Sequence, residues 1–274
     1  MNIYQKFFFY LCAALILIVT GAGFAFTQFR DAPAETPASG VALIELYTSE
    51  GCSSCPPADM LAARIQREYR DRQVYILAYH VDYWNRLGWK DAFSSPDYSA
   101  RQRKYAGYLH TTDGVYTPQA IVNGKTQFVG SDQPAMYRAV NEALRPGGRT
   151  TLTLDHLISD KAQARLQYHI SGTIAKNTLL MLALVQKHAE TKVKAGENAG
   201  RTLAHINIVR KLQTIPLGDI PDGAVMLKLP QTVTGDDWEI IGFIQNNRTG
   251  AGTAAARAVA NGNKLAKLKS PEVK

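Results

Sequence analysis

The apolar positions of this chain change period about half-way along it. Residues 41–47 (Val-Ala-Leu-Ile-Glu-Leu-Tyr) are almost continuously apolar, as expected of a strand buried on both faces. Leu61, Ile65 and Tyr69 recur every four residues, which predicts a helix over 57–70 with one apolar face. A second buried strand is predicted over 74–79 and a charged helix over 96–108. Two short strands, 119–122 and 126–129, flank Asn123-Gly124, a strong two-residue hairpin signal. A helix over 133–145, with Ser131 or Asp132 available as its cap, closes this half.

Beyond Arg145-Pro146-Gly147-Gly148-Arg149, which reads as a linker, alternation with period two takes over. Leu152 and Leu154, then 165–170, 179–186, 203–210, 224–229 and 238–245, are strand-like runs at intervals suited to an antiparallel sandwich. The pattern therefore predicts an α/β domain over 41–148 followed by a mainly antiparallel β-sandwich domain over 149–255. Gly196-Glu197-Asn198-Ala199-Gly200-Arg201 falls between two predicted strands, as a tight turn, a ligand loop or a contact with the first domain.

The N-terminus carries a different signal. Residues 7–26 are 20 mostly apolar, uncharged residues, with Lys6 before them and Arg30 and Asp31 after. That length just spans a bilayer. Residues 1–30 read as a signal peptide, with small residues at Gly23 and Ala25 for cleavage, or as an uncleaved membrane anchor. The Pro/Ala-rich stretch 31–40 follows as a linker, which argues against a buried helix of the fold. Either version exports the chain to a periplasmic or secreted location, where disulfides persist.

The net charge of +8 is uneven. Residues 1–149 hold 15 Lys/Arg against 13 Asp/Glu, and residues 150–274 hold 16 against 10. Part of the excess lies in a basic tail, 256–274, with Lys264, Lys267, Lys269 and Lys274. A solvated surface accounts for this, with anionic lipid or cell-wall polymer as the alternative. No nucleic-acid motif and no fixed repeat is present, so no nucleic-acid partner is expected.

Three cysteines carry the candidate chemistry. Cys12 lies in the apolar run, which leaves Cys52 and Cys55 in the exported part. They stand in Gly51-Cys52-Ser53-Ser54-Cys55-Pro56-Pro57, between a predicted strand and a predicted helix. Cys-x-x-Cys in that place suits dithiol/disulfide chemistry, in which a thiolate attacks and a helix N-terminus favours the anion. The element order is that of a thioredoxin-like fold, in which a cis-proline faces the cysteine turn. Thr117-Pro118, directly before a predicted strand, is the candidate. Other readings stay open. The pair can be a permanent structural disulfide, or a site for a soft metal such as Cu(I) with His80 or another histidine as third ligand. A four-ligand zinc site is disfavoured because there is no second Cys pair.

The stretch from Glu45 to Asp59, together with His80-Val81-Asp82-Tyr83-Trp84, Leu87-Gly88-Trp89, Tyr116-Thr117-Pro118-Gln119 and the 196–201 motif, resembles a thioredoxin-like secreted protein family, domain of unknown function 1223, over about 40–250. The resemblance implies a fold but no substrate. By resemblance to thioredoxin-like enzymes, Cys52 attacks and Cys55 resolves the mixed disulfide. Two departures leave that order open: Gly51 replaces the usual aromatic, and Pro56 pushes Cys55 out of the helical region. His80 and Asp82 are candidates for proton transfer or for capping a strand–loop junction. Glu50 and Asp59 flank the motif, either tuning it or solvated. The resulting expectation is a thiol–disulfide oxidoreductase using Cys52, Cys55 and Pro118, with Thr117, His80, Asp82 and Glu50 as auxiliaries. It needs no cofactor or metal, and protein thiols or a small disulfide are its partners. The alternative is a non-catalytic protein that binds copper or a protein partner.

Overall fold

The first described strand, β1 (Ala42–Thr48), is buried at all seven positions, as its continuous apolar run demands. The computed structural model describes residues 40–259 except 113, 219, 233, 234 and 236. Cys12, the run 7–26, the linker up to 39 and the tail from 260 lie outside the described residues. All described residues fall in one compact unit. Among them, no helix is long and apolar enough to cross a membrane.

Helix α1 (Pro56–Glu68) follows β1, then β2 (Val74–His80), a short 3-10 turn (Asn85–Leu87) and α2 (Pro96–Tyr108). The hairpin β3 (Gln119–Val122) and β4 (Thr126–Val129) leads into α3 (Gln133–Ala143), which Asp132 caps through its side chain. The second half contains β5 (Thr151–Ser159), β6 (Gln163–Ser171), β7 (Thr178–Lys192), β8 (Thr202–Pro216), β9 (Asp222–Lys228), β10 (Trp238–Asn246) and β11 (Gly252–Val259). The last strand runs four residues, 256–259, into the stretch expected as the basic tail.

The strands join in a way the sequence does not predict. One mixed sheet runs β11-β10-β7-β8-β2-β1-β3-β4, and β5-β6-β9 forms a separate three-stranded sheet. The expectation of an α/β thioredoxin-like domain followed by a β-sandwich is thereby corrected: the protein is mostly β, built on one eight-stranded sheet. The joint is the parallel pairing of β2 with β8 through Ala78 and Ile208. Strands from both sides of residue 148 thus share one hydrogen-bonded layer.

That layer is covered on both faces. Tyr47, Tyr79, Tyr98, Tyr105, Val185 and Phe243 form a core on the α2 side that crosses the β2–β8 joint. On the opposite face, α1 and α3 pack over Ile44, Leu46 and Ile76. The three-stranded sheet packs over Leu180, Leu182, Leu184 and Ile240. Successive residues of β7 point to opposite faces, so Leu180, Leu182 and Leu184 enter one core and Met181, Ala183 and Val185 the other.

Candidate functional site

Cys52 and Cys55 form a disulfide with Cα atoms 5.4 Å apart. The turn is built by successive hydrogen bonds from Cys52 N to Ser49 O and from Cys55 N to Cys52 O. Cys55 is the N-cap of α1, and Pro56 and Pro57 fill its first turn, where a missing N–H costs little. Cys55 takes helical angles (φ −78°, ψ −38°), so the expected push away from the helical region does not occur. Ala58 N and Asp59 N both donate to Cys55 O. The start of α1 therefore presents two prolines and two occupied amides, and no free N–H aimed at a sulfur. The Ser54 hydroxyl lies 3.3 Å from Cys52 Sγ.

The turn reaches the surface but the sulfurs do not. Ser53 and Ser54 are exposed, whereas Cys52 and Cys55 are both 0% exposed. Against the main chain of this turn sits the tip of the β7–β8 hairpin, residues 193–201. Asn198, also 0% exposed, donates its amide to Glu50 O and to Cys52 O, each at 2.9 Å. Glu197 Oε2 accepts from Ser53 N at 2.9 Å, and this bond holds its carboxyl below the ordinary value. Arg201 steadies the amide by donating to Asn198 Oδ1 at 2.7 Å.

Behind the turn lies a buried group of ionisable side chains. Glu50 precedes Cys52 by two residues and Asp59 sits in the first turn of α1, while His80 ends β2 and His205 lies on β8. Asp91 Oδ2 receives His80 Nδ1 at 2.7 Å and Glu50 N at 2.9 Å. Trp89 Nε1 donates to Glu50 Oε2 at 2.7 Å. His205 Nε2 is 3.4 Å from Glu50 Oε1 and its Nδ1 is 3.9 Å from Asp59 Oδ2, ion-pair separations without hydrogen-bond geometry. No hydrogen bond reaches His80 Nε2 either. The gap between Asp59, His80 and His205 has no room for a water molecule.

Burial and charge pairing oppose each other at these groups. Burial raises the Asp59 carboxyl, against the pull of His205 and His80. Burial lowers His80, but the charge and hydrogen bond of Asp91, with Asp59 and Glu50, carry it above its ordinary value. Burial raises Asp91, yet His80 and the amides of Glu50 and Phe93 hold it below the usual carboxylate range. These opposed shifts describe a His80–Asp91 ion pair.

Of the residues expected from sequence, Cys52, Cys55, Glu50 and His80 come together here. Asp82 does not: its carboxylate and amide are both engaged by the Ser99 hydroxyl on α2, which makes it a strand–helix tie. The Thr117-Pro118 peptide is cis. Thr117 Oγ1 accepts from Trp84 Nε1 at 2.8 Å, and the Trp84 Cβ lies only 3.1 Å from where a Gly51 Cβ would stand. Pro118 and Ala58 each approach the same face of Gly130. Asp91, His205, Glu197 and Asn198 were not among the expected site residues. Only the 196–201 motif carried a signal, as a loop able to touch the first half.

Among the described residues, no group of three or more His, Cys, Asp or Glu is placed to hold a metal ion. A groove of about 1370 Å³ lies along α3, β3–β4 and the 145–150 segment and includes none of the residues above.

A family model described as protein of unknown function (DUF1223) matches residues 43–245. A crystal structure of a protein from Agrobacterium tumefaciens superposes with a TM-score of 0.61 at 26% identity, covering 86% of this chain and 99% of that one. A domain of the outer membrane lipoprotein Omp28 from Porphyromonas gingivalis matches at 10% identity over 42% of this chain and 91% of that one, with a TM-score of 0.26, too low to carry an argument. No curated protein matches the chain.

Proposed function

The chain belongs to the DUF1223 family of proteins of unknown function, and we propose from its own site that it is an exported thiol–disulfide oxidoreductase working through Cys52 and Cys55. One observation carries this reading: Glu50, two residues before Cys52, and Asp59, four after Cys55, join the cysteine turn to the buried group of His80, Asp91 and His205, in which Glu50, His80 and His205 have unbonded polar atoms. Burying such groups costs stability, and clusters of this kind concentrate where chemistry is done. A disulfide closing two intervening residues contributes only about 2 kcal/mol by loop entropy, a weak reason to keep it as a staple. Support for export comes from the uncharged apolar run 7–26.

The reaction is exchange. A substrate thiolate attacks one cysteine sulfur, the Cys52–Cys55 bond breaks, and the other sulfur leaves as a thiolate that takes up a proton. A second substrate thiol resolves the mixed disulfide. Two electrons pass from two thiols, which become a disulfide, to the pair, which becomes a dithiol. The reverse direction oxidises the pair at the expense of a substrate disulfide.

The complete burial of both sulfurs favours a second reading, a closed structural disulfide. Equilibrating the full chain in glutathione redox buffers separates the two. The oxidoreductase reading expects a reduction potential above about −300 mV, within reach of thiol partners. A pair that stays oxidised until far more reducing conditions, or whose reduction unfolds the chain, is structural.

A further inference from the structure

We infer that the 193–201 turn stands in for a polypeptide substrate, closing over the disulfide and yielding its place to an extended chain that carries a thiol. The inference rests on the oxidoreductase reading and names its substrate class. Three main-chain groups of the cysteine turn are involved: the Ser53 N–H and the carbonyls of Glu50 and Cys52. All three are taken by the turn, through Glu197 Oε2 and Asn198 Nδ2. One donor and two acceptors along a strand end and a turn are what an extended polypeptide matches with its own alternating C=O and N–H groups. A small thiol offers no such set.

The turn is built to separate as a unit. Its own backbone is closed by bonds from Val193 N to Arg201 O, Gly200 N to Val193 O and Ala199 N to Gly196 O. Gly196 and Gly200 take φ of 77° and 83°, which glycine adopts without strain. Beyond the β2–β8 joint, the outer ladder from His188–Ile206 to Lys192–Thr202 pairs only within the hairpin, and its outward side chains are largely exposed. Leaving the cysteine turn costs the Glu197 and Asn198 bonds and no internal bond of the turn. Within the turn only Val193 and Asn198 are buried, and Gly196 lies beside Trp89 and Leu87, so Asn198 supplies the buried hydrogen bonds of the seat. The sulfurs have no exposed surface while it is seated.

The test measures the rate at which the disulfide of the full chain is reduced by dithiothreitol, by glutathione and by a reduced, unfolded ribonuclease as a polypeptide thiol. Asn198→Ala should speed reduction by dithiothreitol at least about tenfold, since two hydrogen bonds that hold the turn are lost. Glu197→Ala, at a fully exposed side chain whose loss leaves folding intact, should speed it several-fold. In the wild type, the polypeptide thiol should outpace glutathione at equal thiolate concentration, and Asn198→Ala should narrow that preference. Unchanged rates in both variants overturn the inference, as does a wild type that reacts equally fast with glutathione and the polypeptide. Failure of the oxidoreductase reading looks different: the variants react faster, but the pair does not equilibrate with glutathione in any of them.

Discussion

Arg101 on α2 holds Glu45 of β1 through two hydrogen bonds, Nε to Oε2 at 2.6 Å and a second terminal nitrogen to Oε1 at 2.9 Å, at the centre of the buried sheet. Tyr105 also donates to Glu45, and Gln245 of β10 accepts from Arg101 while donating to Tyr105 at 2.6 Å. The network thus ties the first half of the chain to the second. Replacing one partner strands a buried charge, so Arg101→Met should lower unfolding free energy by about 3–5 kcal/mol. The double variant Glu45→Leu/Arg101→Met should recover much of that loss. Urea unfolding of the wild type and the two variants checks both expectations, and a single variant as stable as the double would contradict them.

The His80–Asp91 pair should make stability pH-dependent with a defined sign. His80 is raised, so its contribution is complete below the unfolded histidine value of about 6.5 and is lost as pH rises through the higher folded value. Asp91 is lowered, so its contribution is complete above about 3.9 and is lost as pH falls through the lower folded value. The pair stabilises most between roughly pH 4 and 6.5. Glu50, Asp59 and His205 face the same space. Asp91→Asn should cost most in that window and progressively less at higher pH. Denaturant titrations from pH 4 to 9 would show this, and a cost independent of pH would refute it.

The elements of this fold were legible because their burial follows local rules. Continuous apolar runs mark β1 and β2, Asn123-Gly124 marks the β3–β4 turn, and Asp132 marks the start of α3. The layer they build was not legible, because it depends on β2 meeting β8 through Ala78 and Ile208, 130 positions apart in the chain. β7 and β8 run 15 residues each, about twice the predicted length. The unpredicted stretches, 187–192 of β7 and 211–216 of β8, are mostly polar or partly exposed, which leaves no apolar run to read. The extra length of β7 carries the chain out to the turn that brings Asn198 to Cys52. The site divides in the same way: Glu50 and His80 adjoin the motif or the strand beside it, whereas Asp91, His205 and Asn198 arrive through non-local pairing.

Gly124 at the β3–β4 turn should resist substitution. Its φ is 63°, and a Cβ there would stand 1.9 Å from the carbonyl oxygen of Gly250, in the β10–β11 turn. Gly252 N donates to Asn123 O in the same contact, at 2.8 Å. Gly124→Ala therefore combines left-handed strain with a backbone clash, and should cost at least about 1–3 kcal/mol. Gly147→Ala, where nothing lies within 4 Å and φ is not left-handed, should cost well under half of that. A thermal-shift comparison of the two decides the matter.

The order of attack follows from what surrounds each sulfur. At the start of α1 the two prolines have no N–H, and the next two amides serve Cys55 O, so the helix offers little to an anion. Among the described residues, the polar side chain bonded to a sulfur is the Ser54 hydroxyl, beside Cys52. Cys52 is therefore the better supported as a thiolate, because the hydroxyl can donate to it. Cys55→Ser should trap a mixed disulfide at Cys52, whereas Cys52→Ser should not trap one at Cys55. Ser54→Ala should slow alkylation of reduced Cys52 at neutral pH by a few-fold and leave the fold intact, since Ser54 is exposed. Mass spectrometry of the trapped adducts and timed alkylation of the two thiols would test this. Trapping at Cys55 instead, or alkylation indifferent to Ser54, would reverse the assignment.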